Sequence, residues 1–470
     1  MNSRFYLSLL LISSLVLIAF LGVAFNREFT PEWKWYQSEY KDFLIKNAKD
    51  ESTRNRAEKI EVGMQQIYLK SLKKSDRCIS CHMGVENPFM SDAEQPFRQH
   101  SGNYLENHPI AKFGCTVCHN GQGRAMNKRE AHGKEHTHWD FPIIPAKYIH
   151  SSCAQCHDNE MLKQEGGERV ASGEELFREK GCQGCHKVDG KGGDLGKDIT
   201  GVGSRPFAYF PMKHVVGEHH LYNWIKQHFD DPREIVPDSA MRAFLTEEEA
   251  ELLTTYMLTF KAEEMPRNYT LIKNVIFPKT DGESLYKMYC IACHADGKVS
   301  LYDEIFERTI PAIMNPAFTK SIDDEHLKNI IKEGRKGTQM TAWNANAAGL
   351  SDEEIDEIMK YITKSRPVEK PDPFEFVQFQ TDVVQGEELY KVRCKFCHGA
   401  EGKAGKGFLG ISLNNPVVQK ADPEYLAITV RDGRKDTPMV PFGMKGLKLG
   451  DQDIADIIAY VKTLSKKNKK

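Results

Sequence analysis

The chain has 470 residues, with 64 Lys and Arg against 66 Asp and Glu. So even a balance gives no electrostatic basis for a nucleic-acid partner, and the length allows three or four domains. All 12 cysteines fall in Cys-x-x-Cys pairs, so none is left over for a separate disulfide or thiolate nucleophile.

The first predicted element is an apolar helix. Phe5 to Phe25 is free of charge, and a helix of that length spans roughly 30 Å of hydrocarbon. An uncleaved anchor is the expectation; a signal peptide cut near Gly22-Val23-Ala24 is the alternative. Arg4 is the only charge before the span and gives weak positive-inside support. Next comes "TPEWKWYQSEY", where Thr30 is the expected N-cap and Pro31 the first helical residue. Trp33, Trp35, Tyr36 and Tyr40 suit a membrane–water interface, or else pack on the protein.

The cysteine pairs follow: Cys78/Cys81, Cys115/Cys118, Cys153/Cys156, Cys182/Cys185, Cys290/Cys293 and Cys394/Cys397. Cys-x-x-Cys alone serves zinc, redox disulfides or haem. Here the next residue is always His: His82, His119, His157, His186, His294 and His398. With only 17 His in 470 residues, that repetition is not chance and selects covalent haem. Two thiols three apart add to the vinyl groups of one haem, and the adjacent imidazole ligates its iron. Six haem c groups are expected.

The motifs fall into two regimes. The first three are packed so closely that a segment of such length cannot build its own core. Residues 71–168 therefore read as a trihaem domain with little regular structure, held by its haems. Distal ligands must come from His100, His108, His132, His136, His138 and His150. His100, His108, His132 and His138 are preferred. His108 could reach a neighbouring haem, and His132 and His138 lie beyond the turn "NGQG". His136 reads as solvated, and His150 sits too close to its own Cys153.

Beyond residue 168 an internal repeat appears: "SGEELFREKGCQGCH", "DGESLYKMYCIACH" and "QGEELYKVRCKFCH". Ser172 with Glu175, and Thr280 with Glu283, fit capping boxes. Each unit closes with an acidic amphipathic helix, over 245–258, 350–363 and 449–462. Thr246/Glu249 and Ser351/Glu354 cap two of these, while Gly450 stands where the third cap should be. Met340 and Met439 each lie six residues after the Gly of a Gly-Arg-Lys turn and ten before the Leu opening that helix. Met241 holds the corresponding place in the first unit, four residues before Leu245, with His219, His220 and His228 as rivals. Met444 is the rival of Met439.

Helix, haem motif, Met and closing helix, in that order, resemble the class I cytochrome c fold. The resemblance covers three units, 169–263, 280–366 and 383–466. It implies Met241, Met340 and Met439 as sixth ligands. The fold expected overall is mainly α. A transmembrane anchor (1–29) and an interfacial helical segment (30–70) precede the trihaem domain and three tandem all-α cytochrome c domains.

The stretches "VGMQQIYLKSLKKSDRCISCHMGVENP" and "HPIAKFGCTVCHNGQGRA" resemble membrane-anchored multihaem subunits of bacterial quinol-oxidising, cytochrome bc-type complexes. That resemblance implies cytochrome b or Rieske-type partners, a periplasmic carrier or terminal oxidase as acceptor, and a cytoplasmic-membrane protein with its bulk outside. Met/His ligation raises potential relative to bis-His, so electrons are expected to run from the membrane end towards the C-terminus. A multihaem reductase of a nitrogen or sulfur oxyanion is the rival class, but the Cys-x-x-Cys-Lys mark of multihaem nitrite reductases is missing. A tether that positions partner subunits is compatible with electron transfer. The basic end "SKKNKK" reads as a solvated tail.

Overall fold

The computed structural model describes residues 3–29, 31–133, 139–164, 166–242, 245–266, 269–270, 280–335, 338–404, 408–435 and 437–464. Thr30, His136, His138 and the basic tail lie outside them.

The chain is mainly helical. Helix α1 (Ser3–Phe29) contains a stretch, Arg4–Asn26, of mean hydropathy 2.6 that is not buried within the chain. It is long and apolar enough to cross a membrane. Helix α2 (Glu32–Lys46) starts one residue after Pro31. Its buried residues Trp33, Gln37 and Tyr40 share one face, as the helical period requires. The Gln37 amide donates to Gly63 O and Ser80 O, each at 2.9 Å, and accepts from Gly63 N at 2.9 Å. The aromatic cluster expected at a membrane interface therefore divides. Trp33 and Tyr40 are buried, Tyr40 against Met90 and Phe97, while Trp35 is 59% exposed.

A short antiparallel hairpin, β1 (Ile67–Leu69) with β2 (Lys74–Asp76), introduces the first motif, with Ile67 opposite Asp76. Among the described residues from there to 164, only short helices and 3₁₀ segments occur. The hydrophobic cluster here is small: Tyr40, Met90 and Phe97. That is too little apolar burial to hold so long a segment on its own.

The tandem units are built differently. The first has α3 (Glu168–Glu179), α4 (Leu221–Asp230) and α5 (Glu247–Met257). The second has α6 (Gly282–Tyr289), a hairpin of β3 (Leu301–Asp303) and β4 (Arg308–Ile310), α7 (Asp324–Glu333) and α8 (Asp352–Thr363). The third has α9 (Val383–Arg393), α10 (Pro423–Asp432) and α11 (Asp451–Thr463). In each, the first helix crosses the last, at the Gly shared by the repeat. A Cβ on Gly173, Gly282 or Gly386 would stand 2.4, 2.0 or 2.0 Å from Leu252 O, Glu357 O or Asp456 O. Only Gly lets the two backbones approach this closely.

The closing helices are capped as the sequence suggests. Thr246 and Ser351 each complete a reciprocal box with Glu249 and Glu354. At Gly450 only half the device exists: Asp453 accepts from Gly450 N at 3.2 Å, and glycine has nothing to return. The opening helices correct the sequence reading. Ser172 lies inside α3, which begins at Glu168. The cap of α6 is Asp281, accepting from Ser284 N at 3.0 Å, so Thr280 is displaced by the stronger carboxylate cap.

The first unit also shares its core with the preceding region. Ile144 and Tyr148 are buried in one cluster with Phe177, Ile225 and Leu253. Lys147–Glu251 at 2.5 Å crosses the same seam, while Arg169–Glu248 at 2.9 Å ties α3 to α5 within the unit.

Candidate functional site

All six Cys-x-x-Cys-His motifs adopt one turn. The His N–H donates to the carbonyl of the first Cys at 2.9–3.0 Å in every case, a single helical turn. This brings both sulfurs and the imidazole to one side of a short segment, the disposition that covalent haem needs.

The first three motifs open into one cavity of about 1240 Å³, above the usual small-molecule range of roughly 300–1,000 Å³. Cys78, Cys81, Cys115, Cys118, Cys153 and Cys156 all line it. Each motif His faces a second imidazole. His82 faces His132, with ring centres 6.4 Å apart; His119 faces His100 at 6.0 Å; His157 faces His108 at 5.8 Å. A metal about 2 Å from a nitrogen of each of two imidazoles sets their centres roughly 6 Å apart. The three spacings therefore fit an iron between each pair.

The pairs interlace. His132, beyond the second motif, faces the first. His100 and His108, both before the second motif, face the second and the third. His100 and His108 donate their Nδ1 hydrogens to Ser101 O and Tyr104 O, each at 2.9 Å, which leaves Nε2 for the partner side. His150 faces none of these rings, and its Nδ1 is buried without a partner. Burial holds His82 and His119 below the usual imidazole range, with the neighbouring imidazoles adding to the effect. Neutral imidazole is the ligating form.

In the tandem units the motif histidines are anchored alike. His186, His294 and His398 donate Nδ1–H to Lys197 O, Pro311 O and Ile411 O at 2.7, 3.3 and 2.8 Å. Burial pushes His294 down to about 4. The methionine loops repeat in detail. Arg335 N donates to Met340 O, and Arg434 N to Met439 O, both at 2.7 Å. The N–H of Met241, Met340 and Met439 is held by the hydroxyl two residues before it, in Ser239, Thr338 and Thr437, at 3.2, 3.1 and 3.2 Å. Met340 and His294 line the same cavity of about 160 Å³. Met444, the rival of Met439, is 69% exposed. Among the rivals of Met241, His219 is exposed and His220 is buried. His228 stacks on Trp224 at 4.7 Å; burial and nearby His186 push it down to about 4.

Two junctions between motifs were not legible in the sequence. Sγ of Cys78 and Cys115 lie within 4.8 Å of each other, and Cys185 and Cys293 are close enough to shift each other's titration. The second contact joins the first two tandem units. Lys191–Glu354 at 2.8 Å and an ion pair of Arg242 with the buried Asp303 span the same boundary. The second and third units meet through Asn315 Nδ2, donating to Lys435 O at 2.6 Å, and through Arg434 over the Phe318 ring at 5.0 Å.

The family model described as cytochrome c oxidase, cbb3-type, subunit III matches residues 278–362 and 381–461, and the cytochrome c model matches residues 170–261. The C-terminal part of the chain is therefore made of cytochrome c domains, which imply covalently bound haem c and electron transfer. No curated protein matches the chain. Among solved structures, a reducing HAO-like protein complex of Kuenenia stuttgartiensis is similar at 19% identity, over 39% of this chain and 94% of that one, with a TM-score of 0.27. A similarity of that size says nothing about function.

Proposed function

We propose that this protein is a membrane-anchored hexahaem cytochrome c that carries electrons, as a subunit of a quinol-oxidising respiratory complex, to a periplasmic acceptor. The observation that carries this reading is the set of three facing imidazole pairs, at 5.8–6.4 Å, inside one cavity lined by three Cys pairs. Haem c, when bound, supplies iron that is reduced and reoxidised by one electron. The chain supplies twelve attachment sulfurs and six motif imidazoles. It also supplies three distal imidazoles (His100, His108, His132) and three distal thioethers (Met241, Met340, Met439). The common hydroxyl–Met device supports Met241 over His228. These distal side chains would leave a bound haem no open position for a small substrate, which supports a carrier over a reductase.

Helix α1 supports anchoring, and α2, which follows it, is hydrogen-bonded through Gln37 to Ser80 of the first motif. Imidazole pairs near the anchor and imidazole–thioether pairs beyond it support a potential that rises away from the membrane. Spectroelectrochemical titration of the full-length protein is expected to resolve six one-electron steps, three of them low. A titration without a low group would sink the ordering. Carbon monoxide binding with high-spin bands would instead indicate an open iron and a reductase. Purification with the anchor in place is expected to bring down membrane redox subunits; a protein isolated alone in mild detergent would count against the complex.

A further inference from the structure

Asp76 ends β2 and is fully buried, between the first two motifs. One carboxylate oxygen accepts from Cys78 N at 3.3 Å. The other accepts from Cys115 N and Thr116 N, both at 2.7 Å. A single side chain thus holds the starts of two attachment turns that lie 37 residues apart in the chain (115 − 78). Its oxygen and the sulfurs of Cys78 and Cys115 all lie within 4.8 Å of one another.

The charge at this point is settled by a contest. Burial acts to raise the Asp76 carboxyl, but hydrogen bonding from Cys78, Thr116 and Cys115 outweighs it and leaves the group below its usual value. The adjacent Arg77 does not neutralise it. Its guanidinium side chain turns to Gln66 Oε1 at 2.8 Å and Arg124 O at 2.9 Å. No ion pair to Asp76 occurs among the described residues. A thiol–thiol–carboxylate cluster resembles a metal site in its atoms, but both sulfurs are attachment atoms, and the carboxylate is spent on three amides.

We infer that Asp76 is a positioning residue that locks the first two haem-attachment turns together and places one fixed negative charge against both sites, lowering their two potentials as a unit. This rests on the reading that both motifs carry haem. Oxidation adds positive charge at each iron, and a buried carboxylate, poorly screened, favours the oxidised form. Losing the charge must therefore raise both potentials. The third motif makes no hydrogen bond to Asp76 and is expected to respond much less.

The test uses the full-length holoprotein with Asp76→Asn, and Asp76→Glu as the charge-keeping variant. Haem-peptide mass spectrometry first counts haems motif by motif. Wild type lacking haem at Cys78/Cys81 or Cys115/Cys118 would defeat the hexahaem reading itself. With all six loaded, Asp76→Asn is expected to shift two of the low steps upward together and leave the other four in place, and Asp76→Glu to return them most of the way. Six unmoved steps in a fully loaded Asp76→Asn protein overturn the inference, as does an equal shift spread over all six. A variant that loses haem only at the first two motifs shows the positioning role in its extreme form. Haem loss without regard to motif overturns it.

Discussion

The two halves of this molecule solve one packing problem in opposite ways. The second and third tandem units each have an aliphatic and aromatic core of their own, the first unit's buried core takes in Ile144 and Tyr148 from outside, and all three have a crossing of first and last helix and a methionine in the same unit. The first three motifs have a cluster of only a few residues around a cavity of about 1240 Å³, and they draw second imidazoles from one another's segments. A domain with its own core can lose its cofactor and keep much of its fold. A region whose facing imidazoles cross between motifs is expected to loosen as a whole when one member is lost. The difference is one of connectivity: closure within a unit in one half, closure between segments in the other.

The strongest test removes attachment sites in each half. Replacing both Cys115 and Cys118 by Ser is expected to cost all three haems of the first region, or the whole protein. The same change at Cys394 and Cys397 is expected to cost one. Haem quantitation per polypeptide checks both. Loss of a single haem from the first region would break the comparison. A smaller effect is expected from the thioethers. Met340→Leu and Met439→Leu should each remove one Met–iron charge-transfer band and lower one potential, leaving the fold intact. Met241→Leu should do the same. If His228→Leu abolishes the corresponding signal and Met241→Leu does not, the first unit closes with imidazole on both sides.

Much of the tandem half could be read from the chain because its determinants are local. The repeat, the acidic closing helices and their boxes at Thr246 and Ser351 depend on residues within a few positions of each other, and the structure reproduces them. The Ser172 and Thr280 readings failed because a matching spacing does not by itself mark a helix start. α3 begins four residues earlier, and Asp281 outcompetes Thr280. In the first half the sequence supplied His100, His108 and His132 but not their pairing, since His108 and His132 each face a motif other than the nearest in the chain. His138, the fourth candidate, lies outside the described residues. Asp76 carried only a local signal, an Asp two residues before a Cys. Its other two donors are some 40 positions away. The Cys185–Cys293 contact left no trace in pattern or composition, because it depends on how whole units dock.

Glycine at the helix crossing gives a test of moderate size. Gly386→Ala would drive a Cβ against Asp456 O, with ideal placement only 2.0 Å away, so α9 and α11 must separate. Overpacking of this kind costs about 1–3 kcal/mol. Denaturant titration should show the third unit unfolding earlier, with the first region unchanged. Coincident loss in both halves would mean that the units fold as one body.

The smallest effect expected is at the caps, and it separates local from global stability. Thr246 accepts from Glu249 N at 3.2 Å, while Glu249 accepts from Thr246 N at 2.7 Å. Thr246→Ala removes the first bond and leaves the second, for a cost of about 1 kcal/mol. Glu249 is also bound by Lys180 at 2.8 Å, which ties the start of α5 to the end of α3. Both Lys180 and Glu249 are substantially exposed, so that ion pair adds little. The loss in Thr246→Ala should therefore be insensitive to salt, whereas an electrostatic origin would make it shrink as ionic strength rises. Helix α5 packs on the 3₁₀ segment Ala146–Gln155, which carries the third motif's Cys153. Fraying at its start should thus speed amide exchange around Tyr148 as well as in α5. Exchange confined to α5 would show that the shared core does not couple the two halves.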